Sequence, residues 1–256
     1  MPLVATWNVN SLRARLDHVR DWLGDNPIDL LAVQETKVQD ADFPHAAFAE
    51  LGYQTASVGQ KAYNGVAVLA RGPLAVVERR LPGFADDQAR VLAVEHGGML
   101  VVDVYVPNGA SVGSDKYAYK LAWLDALTAW LEGLLQRHDE VLVAGDFNIA
   151  PAAADVHDPQ AWHEKILCST PERERLAGLQ ALGLVDAFRA FEQAPASFSW
   201  WDYRGAGFRR NHGLRIDLIL ISAALATRLR SCRIDVTPRR RDKPSDHAPV
   251  IAEFAA

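Results

Sequence analysis

Val91-Leu92-Ala93-Val94-Glu95-His96-Gly97-Gly98-Met99-Leu100-Val101-Val102-Asp103-Val104-Tyr105-Val106 reads as two strands that abut across a short turn. β-Branched and apolar residues dominate both arms, Val91–Glu95 and Leu100–Val106, and His96-Gly97-Gly98 supplies the reversal. So short a connection joins antiparallel neighbours, since a parallel pair needs a crossover of a dozen or more residues. The hairpin therefore argues against a simple doubly wound parallel sheet. It points to an α/β fold of mixed or antiparallel sheets packed face to face, with helices outside.

The rest of the chain fits that frame. Further strands are expected at Leu3–Trp7, Leu30–Gln34, Gly65–Leu69, Val141–Gly145, Ile216–Ile221 and Pro249–Phe254. Leu12, Leu16, Val19 and Leu23 share one face of a helix that Gly24 should stop. A second helix is expected from Ser114 to Arg137, with Leu121, Leu124, Leu127, Leu131 and Leu135 inward. A third should start at Thr170-Pro171 and end before Gly183. No linker or short-period repeat is evident, so residues 1–256 are read as a single domain.

Composition narrows the function. Of 256 residues, 49% are hydrophobic and 23% charged, the balance of a soluble globular chain rather than a disordered one. The apolar stretch Leu218–Ala226 is far short of the roughly 20 residues that span a bilayer, and no secretory leader is visible. No membrane role is expected. Two cysteines, Cys168 and Cys232, are too few for a disulfide scaffold or a zinc site and suit a reducing cytoplasm. The net charge is −5, but residues 201–256 hold 11 Lys and Arg against 6 Asp and Glu, leaving −10 for residues 1–200. Arg228, Arg230, Arg233, Arg239, Arg240 and Arg241 are either one polyanion-binding face or a solvated surface.

Polar residues gather where strands stop. Asn8-Val9-Asn10, Gln34-Glu35-Thr36-Lys37, Tyr105-Val106-Pro107-Asn108 and Gly145-Asp146-Phe147-Asn148 each follow an apolar run. Arg215-Ile216-Asp217 and Ser245-Asp246-His247 lie near the C-terminus. Strand ends are where rigid backbone meets loop and where sites are commonly built. Convergence of Glu35, Asp146, Asp217 and Asp246 would recruit a cation, and oxygen donors without a Cys or His cluster favour Mg2+, with Mn2+ as a substitute. Asp146 and Asn148 could then orient a water, Tyr105 and His247 could bind a phosphate oxygen, and Asp217 could fix the His247 tautomer. The chemistry expected is hydrolysis of a phosphodiester without a covalent enzyme intermediate.

Seven motifs in order make the resemblance plain. Trp-Asn-Val-Asn-Ser-Leu-Arg (7–13), Gln-Glu-Thr-Lys (34–37), Tyr-Val-Pro-Asn (105–108), Gly-Asp-Phe-Asn (145–148), Trp-Trp-Asp-Tyr-Arg (200–204), Gly-Leu-Arg-Ile-Asp (213–217) and Ser-Asp-His-Ala-Pro (245–249) resemble the exonuclease III / abasic-site endonuclease family. That family belongs to the endonuclease–exonuclease–phosphatase superfamily. The resemblance implies a four-layered α-β-β-α sandwich of two packed mixed sheets with outer helices, DNase-I-like. It places Asn8 and Glu35 at the metal with Asn10 and Asp246 as contributors, and Asp146 and Asn148 at the water. Tyr105 and His247 fall at the scissile phosphate, Asp217 behind His247, and Lys37 and Asn108 near the phosphate backbone. Asp146 is favoured as general base over the His247–Asp217 pair.

The motifs shared across the superfamily do not choose a substrate; Phe198–Asp217 does. By resemblance, Trp200, Leu214 and Ile216 build an apolar pocket for a flipped-out sugar without its base, too small for sugar plus base. Trp200, Trp201 and Tyr203 could equally be core packing, Trp201 more so than Trp200. Gly59–Gly65, with Tyr63, and Ser114–Lys120, with Lys116, could grip duplex. Arg204, Arg209, Arg210 and Arg215 flank the pocket, and Arg204 is a candidate wedge. Such cations bind phosphate, so recognition should follow shape and damage rather than sequence. The loop between Asn108 and Lys116 is short and rich in Gly and Ser, and in the family such loops help divide exonuclease from abasic-site activity.

The expectation is thus a monomeric, cytoplasmic, nucleoid-associated Mg2+-dependent DNA-repair nuclease. Its partner is duplex DNA with abasic sites or 3′ ends, cut 5′ to the abasic site, with 3′→5′ exonuclease and 3′-phosphatase or phosphodiesterase activity. Two alternatives are a non-catalytic nucleic-acid-binding regulator on the same fold and a phosphatase or phosphodiesterase of a lipid or small molecule. The first should lack the acidic set, which is present here. The second is disfavoured by Trp200–Asp217.

Overall fold

A computed structural model of the protein describes residues 2–255. In chain order the strands are β1 (Leu3–Asn8), β2 (Leu30–Gln34), β3 (Gln54–Val58), β4 (Val66–Ala70), β5 (Ala75–Glu78), β6 (Val91–His96), β7 (Met99–Tyr105), β8 (Val141–Asp146), β9 (Val185–Asp186), β10 (Asp217–Ile221), β11 (Leu229–Ile234) and β12 (Val250–Phe254). The helices are α1 (Leu12–Asp25), α2 (His45–Ala49), α3 (Asp115–Leu135), α4 (Thr170–Ala181), α5 (Gly207–Arg210) and α6 (Ala223–Arg228).

Two six-stranded sheets result, ordered β11-β12-β1-β2-β4-β3 and β5-β6-β7-β8-β10-β9. Each is antiparallel except for one central parallel pair, β1–β2 in the first and β7–β8 in the second. Helices α1 and α3 lie on the two crossovers, as parallel pairing demands.

Burial explains why the central strands are apolar throughout. Val4, Leu30, Ala32 and Val68 meet Val94, Val101, Leu142 and Ile219 between the sheets. The alternate residues Ala5, Leu31, Val33 and Leu69 turn outward onto Trp22, Leu23 and Phe48 of α1 and α2. On the other side Leu100, Val102, Val143 and Leu220 pack on Leu124, Leu127 and Leu131 of α3 and Leu176 and Leu179 of α4. The layers are therefore helix, sheet, sheet, helix. Ser114 caps α3, and Ser169 with Glu172 forms a capping box on α4, with Pro171 in its first turn.

The sequence differs from the structure in several places. Helix α1 passes Gly24 and ends at Asp25, with Asn26 as its cap. Helix α4 does begin at Thr170, with Ser169 as its N-cap. Leu121 and Leu135 are half-buried, at the margins of the α3 stripe. Strands β3, β5, β9 and β11 were not expected. All four are sheet edges. β3 and β11 carry exposed polar or charged positions that break their apolar runs, β5 leaves Ala75, Val76 and Val77 exposed, and β9 is only two residues long. No helix among the described residues is long and apolar enough to cross a membrane.

Candidate active site

Topology brings the strand-end residues together. The parallel strands finish at one end of the sandwich, where Asn8 pairs in register with Gln34 and Tyr105 with Asp146. Strand β10 runs the other way and begins there, with Asp217 opposite Asp146. His247 lies just ahead of β12 and bridges to Trp200. The cluster thus sits on the seam between the sheets, where strands of the parallel pairs stop and antiparallel partners start.

The local backbone is specialised for this. Glu35 and Lys37 adopt left-handed φ of 52° and 53°, and Asn148 one of 49°. These conformations disfavour side chains with a Cβ and concentrate at sites where the surroundings hold them. Here Thr36 N donates to Gly65 O at 3.1 Å and Lys37 N to Asn64 O at 2.9 Å. Gly145, before Asp146, admits no side chain, because a Cβ would stand 1.9 Å from Val104 O.

Asn8 is the hub. Its Nδ2 donates to Glu35 Oε1 at 3.0 Å and to Asp146 Oδ2 at 2.9 Å, while its Oδ1 accepts from Asn10 N at 3.0 Å. Ser245 Oγ donates to the Asn8 carbonyl at 2.7 Å. Tyr105 donates to Glu35 Oε1 at 2.9 Å, and Lys37 Nζ lies 2.8 Å from Glu35 Oε2. Burial works to raise the Glu35 pKa, but the Asn8 and Lys37 contacts outweigh it and hold the carboxyl below its usual value. Burial and the neighbouring Glu35 and Asp146 charges push the Tyr105 hydroxyl well up, so it remains a donor.

Asp146 is buried. Asn148 N donates to its Oδ1 at 2.9 Å, and Asn148 Nδ2 reaches Oδ2 at 3.3 Å and Val106 O at 3.0 Å. Asn108 Nδ2 in turn donates to Asn148 Oδ1 at 3.0 Å. Burial raises the Asp146 pKa to about 7 against the pull of His247. His247 Nδ1 lies 2.9 Å from Asp217 Oδ2, and its Nε2 is 3.7 Å from Asp146 Oδ2. Burial opposes its charge, yet Asp217 and Asp146 raise the His247 pKa to about 10. The two carboxylates favour the charged ring, which acts as a hydrogen-bond donor. Ser199 Oγ accepts from Asp217 N at 3.1 Å and steadies the start of β10.

A second chain of contacts runs to the slot region. Lys37 Nζ donates to Asn10 Oδ1 at 2.7 Å, Asn10 Nδ2 to Asp246 Oδ1 at 2.9 Å, and Trp200 Nε1 to Asp246 Oδ2 at 3.0 Å. Burial works against the Asp246 charge, but His247 and these two donors hold its pKa below the ordinary value. Trp200 packs with Leu214 and Ile216 in an apolar cluster that also contains Val156, Leu167 and Cys168. Leu214 and Ile216 are 0% and 2% exposed, so they back this cluster, and Trp200 is its half-buried edge. Tyr63, Asn108 and Lys116 line a cleft of about 380 Å³ with Arg90 and Tyr119. Arg204 lies apart from both: it is exposed and held to Asp202 at 3.3 Å.

Several cations are not free for phosphate. Arg215 is buried, 2.7 Å from both Asp155 and Asp186, so it anchors the segment ahead of β10 instead of flanking a pocket. Lys120 and Tyr117 are buried as well. Lys120 pairs with Glu172 and donates to the carbonyls of Asn148 at 2.6 Å and Asn108 at 3.2 Å. It braces the site from behind, and its place four residues before Leu124 on the apolar stripe was the available signal. Trp201 is core, as the alternative for it held. Arg239 is also buried, its guanidinium 5.0 Å from the Phe208 ring centroid and bonded to Ser245 O. Arg228 pairs with Glu140. The C-terminal arginines therefore do not form one uniformly solvated face.

Fold and cluster together define an α/β sandwich protein with an acidic, amide-rich centre on the seam of its sheets. The chain belongs to the Endonuclease/Exonuclease/phosphatase family, whose sequence model matches residues 5–247. It is 36% identical over 97% of its length to exodeoxyribonuclease III of Haemophilus influenzae, covering 98% of that protein. Among solved structures it is similar to the 3′ phosphatase NExo from Neisseria bound to a product DNA hairpin, at a TM-score of 0.98 and 45% identity over the whole of both chains. It is likewise similar to an AP endonuclease from Archaeoglobus fulgidus, at a TM-score of 0.94 and 35% identity, again over both whole chains.

Proposed function

We propose that this protein is a divalent-cation-dependent DNA-repair nuclease. It hydrolyses the phosphodiester 5′ to an abasic site in duplex DNA and trims 3′ ends as a 3′→5′ exonuclease and 3′-phosphatase or phosphodiesterase. Residues 1–256 act as one catalytic unit, as a monomer, in the cytoplasm at the nucleoid. The observation that carries this reading is the junction at Asn8, which ties Glu35 to Asp146 directly beside the His247–Asp217 pair. The relatives, an exodeoxyribonuclease III, a 3′ phosphatase and an AP endonuclease, support the choice of substrate.

The donor set fits a hard ion. Glu35, Asp146 and His247 each place one ligand-type atom within 4.8 Å of the others, and of these the two carboxylates, not the His247 ring committed to Asp217, offer oxygens to a cation. The Lys37 ammonium already lies between Glu35 Oε2 and Asn10 Oδ1, so these oxygens accept a cation. Glu35 is the first candidate ligand, with Asn8, Asn10 and Asp246 around it, and Mg2+ suits such oxygens, with Mn2+ as its substitute. When bound, the ion would offset negative charge on the phosphate and steady the leaving oxygen.

The chain's own groups divide the remaining work. Asp146, with a pKa near 7, accepts a proton from the attacking water, and Asn148 Nδ2 keeps its carboxyl oriented. His247 donates from Nε2 to a phosphate oxygen, since Nδ1 is committed to Asp217. Tyr105 donates from its hydroxyl, and Lys37 and Asn108 face the backbone phosphates. Trp200, backed by the buried Leu214 and Ile216, excludes a sugar that still bears a base. Tyr63, Lys116 and Arg204 contact the duplex beyond it. Cutting of a labelled duplex with one tetrahydrofuran site, run beside a blunt 3′ end, tests the reading. Equal cutting with Mg2+ and with EDTA would remove the metal, and degradation of ends alone would restrict the enzyme to 3′ processing.

A further inference from the structure

Between the sheets, beneath the catalytic seam, the apolar interior is interrupted by a polar pair. Gln34, the last residue of β2, donates from Nε2 to Asp103 Oδ1 at 2.7 Å and to Thr6 Oγ1 at 2.9 Å. Gln34, Asp103 and Thr6 are all 0% exposed. Gln34 belongs to one sheet and Asp103 to the other, so the contact is a polar pin across the sandwich. Its ends lead into the site: Glu35 follows Gln34 at once, and Tyr105 stands two residues beyond Asp103 on β7.

The pin is short of one hydrogen. Asp103 Oδ2 and Gln34 Oε1 are both buried and have no hydrogen-bond partner among the described residues. An ionised aspartate here would leave two acceptors orphaned and a charge in an apolar layer, each unfavourable. A proton on Asp103 supplies the missing donor. An amide facing a carboxylic acid can then pair at two points, N–H to one oxygen and O–H back to the amide oxygen. No cation faces Asp103 among the described residues. Its surroundings are burial, the Gln34 amide and the N–H groups of Val33 and Ala67, and burial drives its pKa well up.

We propose that Asp103 is a positioning residue, an uncharged carboxylic acid that pins Gln34 and so registers the Glu35 end of β2 against the strand carrying Tyr105. The catalytic part of this inference rests on the nuclease reading above; the protonation part does not. Substitution Asp103→Asn keeps a neutral hydrogen-bonding group of the same size, whereas Asp103→Leu keeps the branching at Cγ and removes the pin. On the abasic duplex, Asp103→Asn should stay within about threefold of the parent kcat. Asp103→Leu should lose about tenfold or more in kcat with KM changed less than threefold, because the loss lies in the alignment of Glu35 and Tyr105.

Urea unfolding supplies the independent arm. Between the unfolded pKa near 3.9 and its raised native value, Asp103 binds a proton only when folded. The parent should therefore lose stability relative to Asp103→Asn as pH rises from 5 to 8, by up to about tenfold in the unfolding constant per pH unit. Equal pH slopes for the two proteins would overturn the neutral acid. Equal kcat for parent and Asp103→Leu, or equal losses in the Asn and Leu variants, would overturn the positioning role. An inactive parent with the expected difference in slope would refute the nuclease reading alone.

Discussion

His247 turns Nδ1 to Asp217, 2.9 Å from Oδ2, and so aims Nε2 at Asp146, 3.7 Å away. One carboxylate fixes the ring and its charge, and a second faces the edge that meets the substrate. The arrangement makes the imidazole a donor and leaves proton acceptance to Asp146.

Replacing Asp217 by Asn removes the carboxylate behind the ring and permits the wrong tautomer. Steady-state cutting of the abasic duplex should show kcat reduced by roughly 10²–10⁴-fold with little change in KM. The alkaline limb of the pH–rate profile should also move to lower pH. An unchanged alkaline limb would dissociate Asp217 from the charge of His247.

Stability should follow the same ring. His247 has a native pKa of about 10 against an ordinary 6.5, so its contribution is complete below about pH 6.5 and disappears as pH rises towards 10. Thermal unfolding in EDTA should show a gap between the parent and His247→Gln that narrows steadily from pH 6 to pH 10. A gap that widened over this range would invert the assignment.

Asp146→Asn retains shape and loses the proton acceptor. The kcat should fall by about 10²–10⁴-fold, whereas binding of an abasic duplex in a gel-shift titration should change by less than about threefold. A variant that mainly bound DNA poorly would transfer Asp146 from chemistry to binding.

Removal of Glu35 acts on the cation instead. Glu35→Gln should raise the Mg2+ concentration for half-maximal cutting by about 10–100-fold while saturating Mg2+ or Mn2+ restores part of the rate. EDTA should abolish cutting by the parent. Identical Mg2+ titration curves would exclude Glu35 from the ion.

Lys120 and Glu172 test the brace behind the site. Both side chains are 0% exposed, and Lys120→Met strands the Glu172 carboxylate without its cation. Urea unfolding should register a loss of about 3–5 kcal/mol. Restoration of part of that loss by Glu172→Gln in the same chain would identify the unpaired charge as the cause.

Much of this was legible in the chain itself, and for physical reasons. Strands such as Leu30–Gln34 and Val141–Asp146 are covered on both faces, so they appear as unbroken apolar runs, and polar residues at their ends stand out. Edge strand Leu229–Ile234 buries only Leu229 and Cys232 and contains Arg230 and Arg233, which made it resemble a basic surface. Buried ions were the hardest to foresee. Arg215 finds Asp155 and Asp186 at separations of 60 and 29 residues, pairings that no local pattern announces. Asp103 breaks an apolar strand, yet only the facing sheet shows that Gln34 is its partner.

The hairpin turn at His96-Gly97-Gly98 joins the ends of β6 and β7 away from Tyr105. Met99 and Tyr105 stand at the two ends of the seven-residue β7, about 20 Å of extended backbone apart. The molecule thus has a working pole and a quiet one. A purification tag, a fluorophore or new chain termini grafted at Gly97-Gly98 would ride on the quiet pole, leaving turnover at the other to report on DNA alone.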